Sequence, residues 1–264
     1  MWNPYEPLKA KTLLGLGVAA YVILLLVWST VSGLDLVSST KLPAPWEILF
    51  GLIELGTYDN ITQSNRLLVA TFASSSRVFL SALLVIVTAI PLGIIMGSSP
   101  KINAMVGSIL DPFRSAPIVA ILPILLIWLG MGETLKMAFL WLGAFVYLVP
   151  MTRDAMLGVG RDMYISLKDL GAGDLEAIRF GILPMASPRI WDGIRVSVSV
   201  MWTYITVAEY VNAKTGLGYM ITLAQRQSRF DHVFGGILVI LVLAFITDKA
   251  LVFAGKKLFP WATE

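Results

Sequence analysis

The sequence predicts an all-α polytopic membrane protein with about six transmembrane helices. Three observations carry this. Hydrophobic residues make up 57% of the 264-residue chain, and the mean hydropathy of +0.79 lies beyond that of an ordinary globular domain. Charged residues, only 14%, gather between apolar runs instead of alternating with them. Several runs are long enough to cross a hydrocarbon core as helices. The net charge of +3 is spread over several loops and gives no nucleic-acid footprint. The absence of cysteine excludes disulfides and thiolate metal sites.

The elements follow in chain order. Thr12 to Leu34 carries no charge and is long enough to span. It is read as a retained span and not a cleavable signal, because it is too long and no convincing small-residue cleavage site follows. Pro43-Ala44-Pro45 reads as an extended loop, after which Trp46 to Gly56 fits a short helix at the interface, where tryptophan is favoured. Val78 to Met96 is the second span and holds Pro91, which neighbouring helices can accommodate. Ser115 to Gly132 contains Pro117 and Pro123 and predicts a kinked third span. Met137 to Thr152, Val196 to Ala208 and Val233 to Thr247 have shorter uncharged cores, completed by flanking polar residues that can snorkel. The whole chain, 1–264, reads as one membrane domain without a soluble domain.

A polar stretch, residues 161–187, interrupts the fourth and fifth spans. Met163, Leu167 and Leu170 recur at helical spacing. Gly171 and Gly173 then permit a tight turn. Asp174 is placed to cap a second short helix through Leu175 and Ile178, and Pro184 is expected to end it. The pattern describes a compact helix-turn-helix. It fits either an ordered loop packed on its own helices or a docking element that transmits force from a soluble partner. With the N-terminus cytoplasmic, the inner segments hold Lys9, Lys11, Lys101, Arg114, Arg153, Arg161, Lys168, Arg179, Arg189, Lys256 and Lys257. The outer ones hold Lys41, Arg66, Lys136, Lys214, Arg226 and Arg229. The excess of basic residues inside favours this orientation, with both termini and the polar stretch cytoplasmic.

The same stretch resembles the cytoplasmic loop of binding-protein-dependent ABC transporter permeases, whose signature is Glu-Ala-Ala, a glycine, and a hydrophobic-x-Leu-Pro ending. Gly171, Leu183 and Pro184 stand at the matching spacings, and Leu170 to Ala172 is typical. Ile165, Ser166 and Leu167 occupy the Glu-Ala-Ala positions, and Gly181 replaces the usual Ile. Ser74 to Gly97, Leu110 to Lys136 and Trp202 to Ile221 resemble the nitrate/sulfonate/taurine/bicarbonate branch. The resemblance implies a type I ABC importer permease (MetI-like) fold and a subunit working as a pair, homodimer expected, in a bacterial inner membrane. It implies two cytoplasmic ABC ATPase subunits, which use ATP and Mg, and an extracytoplasmic solute-binding protein. The cargo implied is a small oxyanion or organic anion. Leu167, Leu170, Gly171, Ala172, Asp174, Leu183 and Pro184 are then the ATPase-coupling residues. The chain itself contains no G-x-x-x-x-G-K-[ST] phosphate loop, so it is expected to bind no cofactor and to perform no catalysis.

Few charges fall within the spans. Arg77, near the outer end of the second span, is either an attractor for an anionic solute or a structural partner of Glu209, at comparable depth in the fifth; the ion pair is preferred. Asp192 and Arg195 are i, i+3 neighbours on one face, read as a local pair. Asp248 and Lys249 are expected to snorkel. Glu133 and Lys136 fit a helical pair or a binding-protein contact, the Gly130-Met131-Gly132 turn serves backbone geometry, and a lone His232 is poor support for a metal. A secondary transporter working without an ATPase is the rival reading. It would show an inverted repeat and ionisable or broken-helix sites at the midplane, and neither is visible in the sequence.

Overall fold

The computed structural model describes residues 9–34, 36–38, 41–59, 64–211 and 213–262. Among them the helices are α1 (Ala10–Gly33), α2 (Pro45–Gly56), α3 (Arg66–Ser98), α4 (Pro100–Phe113), α5 (Leu122–Leu129) and α6 (Glu133–Leu157). They continue with α7 (Arg161–Asp169), α8 (Asp174–Ala177), α9 (Leu183–Tyr210), α10 (Leu217–Arg226) and α11 (Phe230–Leu258). A two-residue antiparallel ladder pairs β1 (Tyr58–Asp59) with β2 (Ser64–Asn65). Helices α1, α3, α6 and α11 are long and apolar enough to cross a membrane.

The predicted third span is not one kinked helix. Helix α4 and the Ile118–Leu129 stretch form a pair bent by 92°. Pro117 sits at the break with an extended backbone, since a proline there cannot extend α4. The predicted fifth span is the outer part of α9, a helix of 28 residues that absorbs the flanking polar residues. Pro91 lies inside α3 without ending it.

Two compact units are distinguished, Met1–Arg66 with Ile221–Ile237, and Leu67–Met220 with Leu238–Glu264. In the first, no residue of the apolar window of α1 is buried; its far end is tied down by Trp28 Nε1 and Ser32 Oγ, which donate to the carbonyls of Pro43 (3.2 Å) and Leu42 (3.1 Å). Helix α2 opens on Pro45, and Glu47 turns back to accept the Ala44 N–H at 2.8 Å, satisfying one of the free first-turn donors. Trp46, Leu49, Phe50 and Ile53 give it an exposed apolar face.

In the second unit, α3, α6 and α9 share a core of Val78, Val85, Phe139, Leu140, Met201 and Ile205. Small residues let α3 and α6 approach closely: a methyl on Gly93 would stand 2.5 Å from Thr152 Cβ, and one on Gly97 2.5 Å from Met156 Cβ. Helix α4 is fastened to α6 by Arg153, whose Nη1 donates to both oxygens of Asp111 at 3.0 Å. Arg195 reaches Asp248 of α11 from α9 (Nη2 to Oδ1, 3.0 Å) while also holding Asp192, so the Asp192–Arg195 pair expected from the sequence is present and is joined by a second acid. Lys249 lies over the Phe245 ring, 5.2 Å from its centroid.

Candidate functional site

Two polar structures occupy opposite ends of α6, about 36 Å apart along its axis. The first is the α7–α8 knob. Helix α7 ends in a Schellman motif: the Ala172 N–H bonds the Leu167 carbonyl (3.0 Å) and the Gly171 N–H bonds that of Lys168 (2.9 Å). This closure places Gly171 at φ +91°, a conformation a Cβ resists. Asp174 does not cap α8, as local rules suggest. Gly173 is the capping residue, and its N–H is taken by the Glu176 carboxylate at 2.8 Å. That leaves Asp174 free to turn back to α7, where its Oδ1 accepts from Lys168 Nζ (2.7 Å) and Tyr164 OH (2.8 Å). The Lys168 ammonium, and then the Tyr164 hydroxyl, hold the Asp174 carboxyl below its usual range.

Pro184 does not end the second helix either. The chain runs from α8 through a π-helical stretch, Ile178–Ile182, into α9, with Pro184 in the first turn of α9. The wider π turn takes up the carbonyl geometry that proline disturbs in an α-helix. At Gly181, in this stretch, an added Cβ would overlap Leu167 Cδ1 and meet Met163. The two departures from the family signature, a large Leu167 and a missing Ile at 181, therefore fill one another. Ile178, Ile182 and Leu183 pack on a cluster of Ala155, Met156, Ala186 and Ile190, which fixes the base of the knob. Its outer face is apolar and open: Leu170 is 84% exposed, Leu175 76% and Phe180 70%.

The second structure surrounds Arg77. Its five N–H groups are all spent: Nε and Nη2 donate to Glu133 (2.6 and 2.8 Å), Nη1 to Glu209 (2.6 Å) and the Thr215 carbonyl (2.8 Å), and Nη2 to Thr215 Oγ1 (3.1 Å). Glu209, only 1% exposed, also accepts from Ser74 Oγ (2.7 Å) and the Gly218 N–H (2.7 Å), while Ser74 takes the Leu217 N–H (2.8 Å). The first turn of α10 is thus satisfied by a carboxylate and a hydroxyl, as a helix N-terminus favours. Lys136 Nζ completes the group on Glu133 at 2.6 Å. Gly216, at φ +119°, lies against the Glu209 carboxylate, where any Cβ would overlap it. The structure therefore brings Arg77 and Glu209 together and joins to them the Glu133–Lys136 pair, which sequence spacing treats separately. It adds Ser74, Thr215, Gly216 and Gly218, for which the Thr-Gly-Leu-Gly run after a buried glutamate is the signal.

A third cluster gathers Glu54, Asp231 and His232, whose ligand atoms lie within 4.8 Å of one another. Arg229 already stands among them, donating to Glu54 (2.6 Å), Asp231 (2.8 Å) and His232 Nε2 (2.7 Å), so a cation is in place. Its hydrogen bond holds the Glu54 carboxyl below the usual range.

Residues 89–258 match the family described as binding-protein-dependent transport system inner membrane component. The chain belongs to that family. The permease is 33% identical over 261 residues to the taurine transport system permease protein TauC of Escherichia coli strain K12, covering 98% of this chain and 93% of that protein. It is 29% identical to the putative aliphatic sulfonates transport permease protein SsuC of Bacillus subtilis strain 168, over 93% of this chain and 87% of that one. These relatives place it in the nitrate/sulfonate/taurine branch. The MetI-like fold is shared with an inward-facing structure of the MetNI methionine ABC transporter, at a TM-score of 0.58 and 20% identity, over 84% of this chain and 99% of that chain. An amino acid ABC transporter aligns at the same TM-score of 0.58, over 72% of this chain and 90% of that chain.

Proposed function

We propose that the permease is the membrane subunit of an ATP-driven importer of small sulfonates of the taurine kind, moved by alternating access. The observation that carries this is the knob: a rigid, two-helix projection, fixed at its base and presenting Leu170, Leu175 and Phe180 outward. An exposed apolar patch on a stiff mount suits a partner that pushes. Two copies of the chain form the membrane core. Each offers its knob to one of two cytoplasmic ATPase subunits, in which ATP and Mg are bound. A solute-binding protein delivers cargo from outside. Both termini lie on the cytoplasmic side of a bacterial inner membrane, and this chain binds no cofactor. The Arg77 network serves as a structural lock at the outer end. The sulfonate class rests on the likeness to the taurine and aliphatic sulfonate permeases.

The test is reconstitution in vesicles with the ATPase and the solute-binding protein. Taurine-stimulated ATP hydrolysis with taurine accumulation is expected. Accumulation by this chain alone, driven by a proton gradient without nucleotide, overturns the coupling. Accumulation of nitrate or bicarbonate in place of taurine overturns the cargo.

A further inference from the structure

The C-terminal half of α11 carries a pattern that neither the knob nor the Arg77 network uses. Phe245, Lys249, Phe253 and Lys257 follow one another at i, i+4 spacing and form one stripe along the helix, with Lys256 beside its end. All five are exposed. Each lysine of the stripe lies over the ring one turn before it: Lys249 Nζ is 5.2 Å from the Phe245 centroid and Lys257 Nζ 4.8 Å from that of Phe253. None of Lys249, Lys256 and Lys257 meets a carboxylate among the described residues. Asp192 and Asp248, at the contact of α9 with α11, are both held by Arg195. Three ammonium groups thus stand without a counter-charge.

Their level in the membrane follows from the helix. At 29 residues, α11 is about 44 Å long against a hydrocarbon core of about 30 Å, so its last turn, with Lys256 and Lys257, stands among the headgroups. Lys249 begins about 10 Å deeper, where an ammonium needs either a long reach to the interface or an anion that comes down to it. The end of the helix is held from the α9 side. Trp191 Nε1 donates to the Leu251 carbonyl at 2.9 Å, and a Cβ on Gly255 would stand 2.7 Å from that nitrogen. Phe259 packs edge-on against Trp191 and Trp261, with centroids 6.2 and 5.6 Å apart. Trp261 is 59% exposed, an amphipathic ring of the kind favoured at headgroup level. Lys256, Trp191 and Phe259 line a shallow notch of about 180 Å³, with the Asp192–Arg195 pair also on its wall.

Basic groups alone would suit any anion. Here they alternate with aromatic rings on the open side of a spanning helix, so the complement is a molecule with a negative head and apolar chains. We propose that this stripe binds an anionic phospholipid, with Lys256 and Lys257 on its phosphate, Lys249 beneath them, and the acyl chains along Phe253 and Phe245. In the orientation proposed above the lipid belongs to the cytoplasmic leaflet, where it braces the α9–α11 contact beside the base of the knob. The site depends on neither the cargo nor the ATPase.

The test is fluorescence quenching in the purified complex, held in mixed micelles with increasing mole fractions of phosphatidylglycerol or phosphatidylcholine, each with brominated chains. Subtracting the same complex carrying Trp261→Phe isolates Trp261. A lysine near the surface favours an anionic lipid by on the order of five-fold. With at least two engaged, phosphatidylglycerol should reach half-maximal quenching at about ten-fold lower mole fraction than phosphatidylcholine. Lys256→Gln with Lys257→Gln should bring the two lipids within about two-fold of each other. Lys101→Gln with Arg161→Gln removes the same charge elsewhere and should leave the preference intact. Glycerophosphoglycerol, the headgroup without its chains, should not relieve the quenching at matched ionic strength. Equal quenching by the two lipids in the wild type, or none by either, overturns the site. An equal loss of preference in both double variants reduces it to overall charge and overturns it too. Relief by glycerophosphoglycerol overturns the lipid as the ligand. Binding in micelles needs neither transport nor ATP, so these failures are distinct from a failure of taurine uptake.

Discussion

Replacing Arg77 with methionine keeps much of its volume and removes its charge and all five donors. The loss falls mainly on Glu209, which at 1% exposure has no water to turn to. Breaking a buried ion pair from one side costs about 3–5 kcal/mol. Ser74 and the Gly218 N–H still donate to the orphaned carboxylate, and Lys136 still neutralises Glu133, which places the cost near the lower bound, about 3 kcal/mol. For a chain of this size that corresponds to a fall in Tm of roughly 6–12 °C. Thermal unfolding in detergent, followed by the fluorescence of the eight tryptophans, reads it directly. Arg77→Met with Glu209→Gln removes both charges, so the double variant should recover a substantial part of the loss, a coupling of about 1.5–3 kcal/mol. A single variant within about 2 °C of wild type, or a double variant whose loss is the sum of the singles, refutes the buried lock.

Three further outcomes follow from individual contacts. Gly216→Ala, at positive φ and against the Glu209 carboxylate, should destabilise by at least about 1–3 kcal/mol on the same thermal assay, while Gly15→Ala, with open space around it, should not. Gly181→Ile should loosen the knob by about 1–3 kcal/mol through overlap with Leu167, seen as faster amide exchange across α7, and Leu167→Ala in the same chain should restore protection. The Asp174 carboxyl is held below its usual range, so its bonds to Lys168 and Tyr164 help the knob at all pH values above that range and are lost as pH falls through the lowered value. Exchange protection of the knob should therefore be flat down to about pH 4 and decline below it, and Asp174→Asn should lack this decline.

The long helices were legible because hydropathy and length decide a span almost alone, and Arg77 and Glu209 because intramembrane charges are few enough to suggest their own pairing. Gly171 was legible too, since a glycine just past a helical run marks a left-handed closure. The failures have a common cause. Asp174 looked like a cap on local rules, but Glu176, three residues past Gly173, takes that role, and Asp174 serves α7 instead. Pro184 looked like a stop, but a π turn before it carries the helix through. Glu133 and Thr215 lie 56 and 138 residues from Arg77, and no periodicity announces contacts at that separation. The bend after α4 likewise depends on how Pro117 meets its neighbours, and a run of apolar residues does not show it.

In the proposed mechanism, nucleotide chemistry in a separate subunit moves this chain through the apolar face of the knob. ATP-driven taurine uptake by the reconstituted complex, compared between wild type and a Leu170→Asp, Leu175→Asp variant, tests it most directly. Both side chains are open to solvent, so the variant should keep the wild-type Tm and lose uptake while its ATPase partner no longer co-purifies. Undiminished uptake by that variant, or uptake by the wild-type chain with neither ATPase nor ATP present, would contradict it.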